Sequence, residues 1–165
     1  MNRIILRPVK INDFDFMLKL VNDSQVKKYL PGLILDEKML TRWIGSLDDS
    51  SNEYIIQLAD SDVEIGECSL STVGNAVEAG LMILPEYWNK GYGTETVGKL
   101  MEMANSLGRS KITATTDKDN TAMIRILEKN GFTLQNEGFM WMVSEDGKNL
   151  INDGQSIVTY EKNLE

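Results

Sequence analysis

Apolar and polar residues follow two different periods along this chain, and the places where the period changes mark its elements. Residues 4–9 are mostly apolar, with Pro8 near their end, and read as a first strand. Asn12 or Asp13 is placed to cap a helix whose Phe14, Met17, Leu18 and Val21 share one face. Residues 24–30 carry another helical turn or two, stopped before Pro31. Asp36 then opens a helix with Met39, Leu40, Trp43 and Ile44 along one side. Residues 53–59 and 63–71 read as strands joined by the tight polar turn Asp60-Ser61-Asp62. Gly74-Asn75 turns the chain once more, into a strand over 76–84. Three successive strands with short turns form an antiparallel meander.

The helical period returns after Pro85, with Val97, Leu100, Met101, Ala104 and Leu107 at helical spacing and Gly108 as the C-terminal stop. The strand over 111–116 is reached through that crossover helix, so it is expected to run parallel to 76–84. Asp119 or Asn120 caps a further helix over 121–130, ended by Gly131. Residues 132–161 read as strands around turns at Asp146-Gly147 and Asp153-Gly154. With no repeat, low-complexity run or linker, the expectation is a single domain over 1–165. Its class is α+β, a mostly antiparallel sheet with one parallel pair at its centre.

Composition narrows the chemistry. The chain has 165 residues, 42% hydrophobic and 25% charged, ordinary values for one globular domain. A lone cysteine, Cys68, excludes an internal disulfide, fits a reducing compartment and reads as a small core filler. No basic start leads into an apolar run and no stretch reaches membrane-spanning length, so the expected location is cytoplasmic, without a membrane partner. Histidine is absent, which removes Ser-His-Asp and Cys-His schemes and argues against a metal site. A net charge of −8 argues against nucleic acid. It suits a cationic acceptor such as an amine, as well as plain solubility.

The most informative stretch is Trp88-Asn89-Lys90-Gly91-Tyr92-Gly93-Thr94, between the strand over 76–84 and the following helix. Two glycines at a helix start let the backbone approach a ligand closely. The unpaired N–H groups and the positive end of the helix dipole suit a phosphate or pyrophosphate. A parallel pair inside an antiparallel sheet can splay, and the gap expected between 82–84 and 115–117 lies beside this loop. The pyrophosphate would sit on the amides of residues 90–94, with an extended arm pairing along the free edge of 82–84.

Glu78-x-Gly80, then Pro85-Glu86-Tyr87-Trp88-x-Lys90-Gly91-Tyr92-Gly93-Thr94-Glu95, and later Asp119-Asn120 through Glu128-Lys129-Asn130-Gly131-Phe132, resemble the GNAT superfamily of acyl-CoA N-acyltransferases. Within it they are most similar to the branch that acetylates ribosomal-protein N-termini, antibiotics and small amines. The resemblance implies a GNAT-like mixed sheet with helices on both faces, acetyl-CoA as co-substrate and no metal. It implies direct attack by a primary amine of a small molecule or a protein N-terminus, and a homodimer is compatible with it. Backbone groups of Met82 and Leu84 would then hold the thioester and pantetheine arm. Amides of Lys90, Gly91, Tyr92, Gly93 and Thr94 would cradle the diphosphate, with Asn120 on the pantetheine and Arg125 or Lys129 near the adenine or its phosphates.

An alkylammonium must lose a proton before attacking a thioester, and the leaving thiolate gains from protonation. The resemblance makes Glu78 the expected base. Leu127 and Met123 stand where relatives carry an acid tyrosine or a serine, so Tyr160, Tyr92 and Tyr87 remain candidates for the acid, Tyr160 first among them. Around Phe139, Met140, Trp141 and Met142 the resemblance implies one wall of an acceptor cleft, with Trp43 and Tyr29 on the other.

Three other readings compete. A dinucleotide-binding oxidoreductase would use Gly91-x-Gly93 and Asp117, but Thr96 fills its third glycine position and residues 85–90 separate strand from loop. A phosphate-loop NTPase fails at Leu100, where a magnesium-binding hydroxyl belongs. A domain of the same fold that binds acetyl-CoA without turning it over, as a sensor or interaction module, is the third.

Overall fold

A computed structural model describes residues 2–30, 36–48, 50–74, 76–143 and 150–164, with 140–143 and 150–154 by their backbone only. The described strands are β1 (Ile4–Pro8), β2 (Glu53–Leu58), β3 (Glu64–Val73), β4 (Ala76–Ile83), β5 (Lys111–Asp117), β6 (Thr133–Val143) and β7 (Leu150–Asn163). They join in one sheet of order β1-β2-β3-β4-β5-β7-β6. Every pairing is antiparallel except β4 with β5. The helices are α1 (Phe14–Asn22), α2 (Ser24–Lys27), α3 (Glu37–Ser46), α4 (Tyr92–Ser106) and α5 (Thr121–Lys129).

Helices cover both faces, as the strand alternation requires. On one face Val77, Ala79, Ile83, Ile112, Ala114 and Val158 meet Val97, Leu100 and Ala104 of α4 and Leu127 of α5. On the other, Ile55 and Leu84 meet Met17 and Leu20 of α1, Val26 of α2, and Leu40 and Ile44 of α3. Each fully buried Leu or Ile among them contributes about 1.5–3 kcal/mol relative to exposure. Two of the N-caps follow from local chemistry. Asp23 accepts from Gln25 and Val26 N–H at 2.9 and 3.1 Å, and Asp36 accepts from Met39 N–H at 2.7 Å.

Asp13 departs from its expected capping role. Its carboxylate makes no bond to the helix and is instead held by both Arg7 nitrogens at 2.8 Å and by Lys10 N–H at 2.7 Å. Glu64 shares the Arg7 guanidinium. Asp153-Gly154 is not a turn either: it lies inside β7, where a register shift opposite 139–141 takes up the extra residues. The expected helix end at Pro31, Asn75 of the Gly74-Asn75 turn, and the Asp146-Gly147 turn lie outside the described residues, as do the side chains of Met140, Trp141 and Met142.

Candidate active site

The parallel pair is short. β4 and β5 match only at Val77 with Ile112 and at Glu78 with Thr113, and beyond that point the two strands part. A groove of ≈ 770 Å³ opens there, within the usual size of a small-molecule site, about 300–1,000 Å³. Its walls come from β4 (79–83), from Thr115 and Thr116 of β5, from the start of α4, and from α5. Sheet splay, helix N-terminus and groove thus coincide at one end of the sheet.

The loop before α4 turns sharply. Asn89 and Gly91 both take positive φ, 59° and 84°, and Gly91 is the N-cap with no side chain to satisfy the helix start. The first N–H to enter the helical ladder is that of Glu95, which donates to the Gly91 carbonyl at 3.1 Å. The amides of Tyr92, Gly93 and Thr94 therefore stand outside the ladder, at the positive end of the dipole.

Arg3, just before β1, fixes this loop. Its Nη1 donates to the Lys90 carbonyl at 2.9 Å, its guanidinium lies 4.9 Å from the Tyr92 ring centre, and its Nε donates to Glu95 at 2.9 Å. Burial alone would push the Glu95 carboxyl up. The N–H groups of Arg3 and Ile4 outweigh it and hold the pKa below the ordinary carboxylate range.

Met82, Gly91, Tyr92, Gly93, Thr94, Asn120 and Arg125 all line the groove, and so does Lys129. Lys90 is exposed beside it, its ammonium 5.4 Å from the Tyr87 ring centre. Asn120 is largely occupied as the cap of α5. Its Oδ1 accepts from Met123 N–H at 3.2 Å and its Nδ2 donates to Thr116 Oγ1 at 3.1 Å, which leaves one amide hydrogen for a ligand. Gly93 has a second reason to be glycine: a Cβ there would stand 2.7 Å from Ile126 Cδ1, and that side chain would have to turn away.

The backbone assignment to Met82 and Leu84 needs correction. Leu84 N–H donates to Ile65 at 2.9 Å, in register with the β3–β4 pairing. By the alternation of an antiparallel ladder, Met82 and Leu84 direct their N–H and C=O groups towards β3. Ala79, Leu81 and Ile83 direct theirs into the gap. The Ile83 carbonyl is already taken by the Trp88 indole N–H at 2.6 Å, which leaves Leu81 as the main edge for an extended arm. Leu84 is buried against the first three helices, and Met82 meets the groove through its side chain.

Neither expected catalytic residue lines the groove. Glu78 is half-buried on β4, at the paired end of the parallel ladder. The Tyr160 ring is buried against the face that α4 and α5 cover, with the Glu128 carboxylate near its hydroxyl; burial first and then that carboxylate raise its pKa. Tyr87 and Tyr92 do line the groove.

Further residues build the surroundings of the groove, Asn130 and Phe132 from the motif that closes α5 and Glu67 with no signal in the sequence. Asn130 ties α5 to the start of α4, donating to the Thr94 carbonyl at 3.3 Å, and Phe132 behind it is buried in the core. Glu67 of β3 is 4% exposed and lines the groove. It also lines a second pocket between α1, α3 and the sheet, together with Glu53 of β2. The two carboxyl groups hydrogen-bond each other. Burial, and then Glu53, raise the Glu67 pKa well above the ordinary range, while burial raises that of Glu53. The pair therefore holds a proton between them more tightly than a free carboxyl would.

A mixed sheet that splays over a groove of small-molecule size, with a helix start that no side chain caps at its edge, is the arrangement of an acyl-CoA-binding fold. Residues 3–133 match the family described as Acetyltransferase (GNAT) domain, and the chain belongs to that family. It is similar to the uncharacterized N-acetyltransferase p20 of Bacillus licheniformis, 26% identical over 148 residues that cover 84% of this chain and 82% of that one. Among solved structures, the spermidine N-acetyltransferase from Vibrio cholerae, in complex with CoA and spermine, gives a TM-score of 0.81 at 17% identity, covering 99% and 97% of the two chains. The ribosomal-protein-S5-alanine acetyltransferase from Vibrio fischeri gives 0.80 at 14% identity, covering 100% and 95%. These likenesses show the fold. With the family match, they make the protein an acyltransferase enzyme and exclude the nucleotide-binding alternatives, whose sheets need more than one parallel pairing.

Proposed function

We propose that the protein transfers the acetyl group of acetyl-CoA to a primary amine by direct attack, the acceptor being a small molecule or a protein N-terminus. The observation that carries this reading is the coincidence of an open β4 edge with ladder-free amides at Tyr92, Gly93 and Thr94 in one groove. The diphosphate would lie on those amides and on that of Gly91. The pantetheine arm would pair with Leu81, with Asn120 as a side donor, and the exposed Arg125 and Lys129 would meet the adenosine phosphates.

That arrangement puts the thioester beside Gly80 and Met82, on the wall where Glu67 and Ser69 also stand. The neutral amine nitrogen attacks the carbonyl carbon, the C–S bond breaks, and the departing thiolate takes a proton from the new amide nitrogen. A thiol pKa of about 8.5 lets it do so without a dedicated acid. Thus Tyr160, behind the sheet, is not required. The folds of a polyamine and a ribosomal-protein acetyltransferase both superpose on this chain, which supports an amine acceptor and leaves its choice to the acceptor pocket.

Incubation with acetyl-CoA and a panel of primary amines and N-terminal peptides, following free CoA thiol, tests the reading. Thiol release that requires an amine is expected. CoA binding without release for any acceptor would favour a silent binding module instead.

A further inference from the structure

The cofactor groove and the second pocket share three residues, Glu67, Ser69 and Met82. Glu67 is thus where a molecule in the second pocket faces a thioester lying along β4. The second pocket holds ≈ 570 Å³ and its apolar walls are Met17, Val21, Met39, Trp43 and Met82. Its acidic groups are Glu67 and Glu53, and its cationic group is Arg42 of α3. Among the described residues no lysine or arginine forms an ion pair with either glutamate, Arg42 of the same pocket included. A carboxylate buried to this degree without a paired cation is costly, so the pair keeps a proton until a cationic ligand takes its place. The described residues also offer no group of three or more acidic or thiol side chains placed for a metal.

We propose that Glu67 and Glu53 bind the ammonium of the acceptor and take its proton, and that the acceptor is a primary amine on an apolar skeleton. This inference rests on the acetyltransferase reading above and deepens it. In the free enzyme the two carboxyl groups share one proton. An entering ammonium brings positive charge beside both and favours release of that proton to water. The complex then holds two carboxylates and one ammonium. Proton transfer from nitrogen to Glu67 restores the singly protonated pair and frees the lone pair for attack. The C–N bond forms, the C–S bond breaks, and the second nitrogen proton leaves with CoA as its thiol. The proton taken by Glu67 restores the pair as it stood in the free enzyme, and the one released to water on binding is the net proton of the reaction, so the cycle is balanced with no further reactant.

Selectivity follows from the walls. The apolar side chains suit the body of the amine, and Arg42 repels a second ammonium further along, which disfavours polyamines. Glu78 stands outside this junction, whereas Glu67 stands in it.

Phenethylamine and spermidine, each with acetyl-CoA, distinguish the outcomes in wild type, E67Q and E53Q, with CoA titrated calorimetrically into all three proteins. The wild type is expected to favour phenethylamine in kcat/KM by at least about 10-fold, because like-charge contact costs several kcal/mol. E67Q should lose about 100-fold or more in kcat, the usual contribution of a general base, with CoA affinity unchanged. E53Q should lose less and shift the acidic limb of the pH–rate profile, the nearby titrating and charged groups being Glu67, Arg42, Tyr54 and Cys68. Should E67Q fail to fold, E53Q decides: an unchanged kcat and pH limb would overturn the proposal. An E67Q enzyme that binds CoA and keeps turnover within about 3-fold would overturn it too, as would preference for spermidine. Absence of CoA binding in the wild type would remove the acetyltransferase reading itself, and this inference with it.

Discussion

Replacing Glu95 by alanine tests how the glycine loop is held. Its carboxylate accepts from Arg3 N–H at 2.7 Å, Arg3 Nε at 2.9 Å and Ile4 N–H at 3.3 Å, and its side chain is 18% exposed. Alanine leaves two backbone donors at the start of β1 without their acceptor. One good charged bond contributes about 1.5–3 kcal/mol, a long one less, and the link to the half-exposed Arg3 side chain under about 1 kcal/mol. The expected loss at neutral pH is about 2–3 kcal/mol, read as a lower urea midpoint with an unchanged slope.

The pH dependence has a definite sign. Burial raises the Glu95 pKa, but the Arg3 and Ile4 donors bring it below the ordinary value. A depressed carboxylate stabilises the fold fully above its unfolded pKa of about 4.3, and this contribution disappears as pH falls through the lower folded value. Wild type and E95A should therefore differ fully at pH 7 and converge in acid. Because Arg3 also holds the Lys90 carbonyl, E95A should weaken CoA binding as well. A neutral-pH difference under about 0.5 kcal/mol, or one that persists undiminished into strong acid, would refute the reasoning.

Two glycines give sharper steric tests. In G66A the new Cβ would stand 2.2 Å from the Met82 carbonyl oxygen and 3.0 Å from Ile83 Cα, both backbone. β3 and β4 must separate, and a loss of several kcal/mol in urea unfolding is expected; near-wild-type stability would contradict the register. In G91A the residue must keep φ of 84° with a Cβ 3.2 Å from Arg3 Nη2. About 1–2 kcal/mol of strain is expected, with CoA affinity reduced by several-fold; unaltered affinity would detach this loop from the ligand.

What the sequence made legible was local. Gly91, Gly93 and Gly131 punctuate helices through their own backbone demands, and Asp36 caps through its own side chain, so α3, α4 and α5 were readable within a residue or two. The splayed parallel pair followed from one crossover helix between two strands. What failed depended on pairing. Whether Leu81 or Met82 faces the gap is fixed by the register with β3, and a one-residue error reverses every backbone group. Glu53 and Glu67 are 14 positions apart in sequence and meet only because Ile55 pairs with Glu67 across β2 and β3. Asp13 had the spacing of a cap, and its Arg7 partner one strand earlier took it instead. Asp153-Gly154 had turn chemistry, yet β7 absorbed it by a shift in register.

In the proposed complex the amides at the start of α4 grip a diphosphate while the β4 edge takes the arm. Calorimetric titration of CoA and of pantetheine, which has the arm but no diphosphate, tests it most directly. One CoA should bind per chain, with pantetheine at least about 100-fold weaker, since each charge-assisted bond lost is worth about 1.5–3 kcal/mol. Equal affinity for the two, or no binding of CoA, would contradict it.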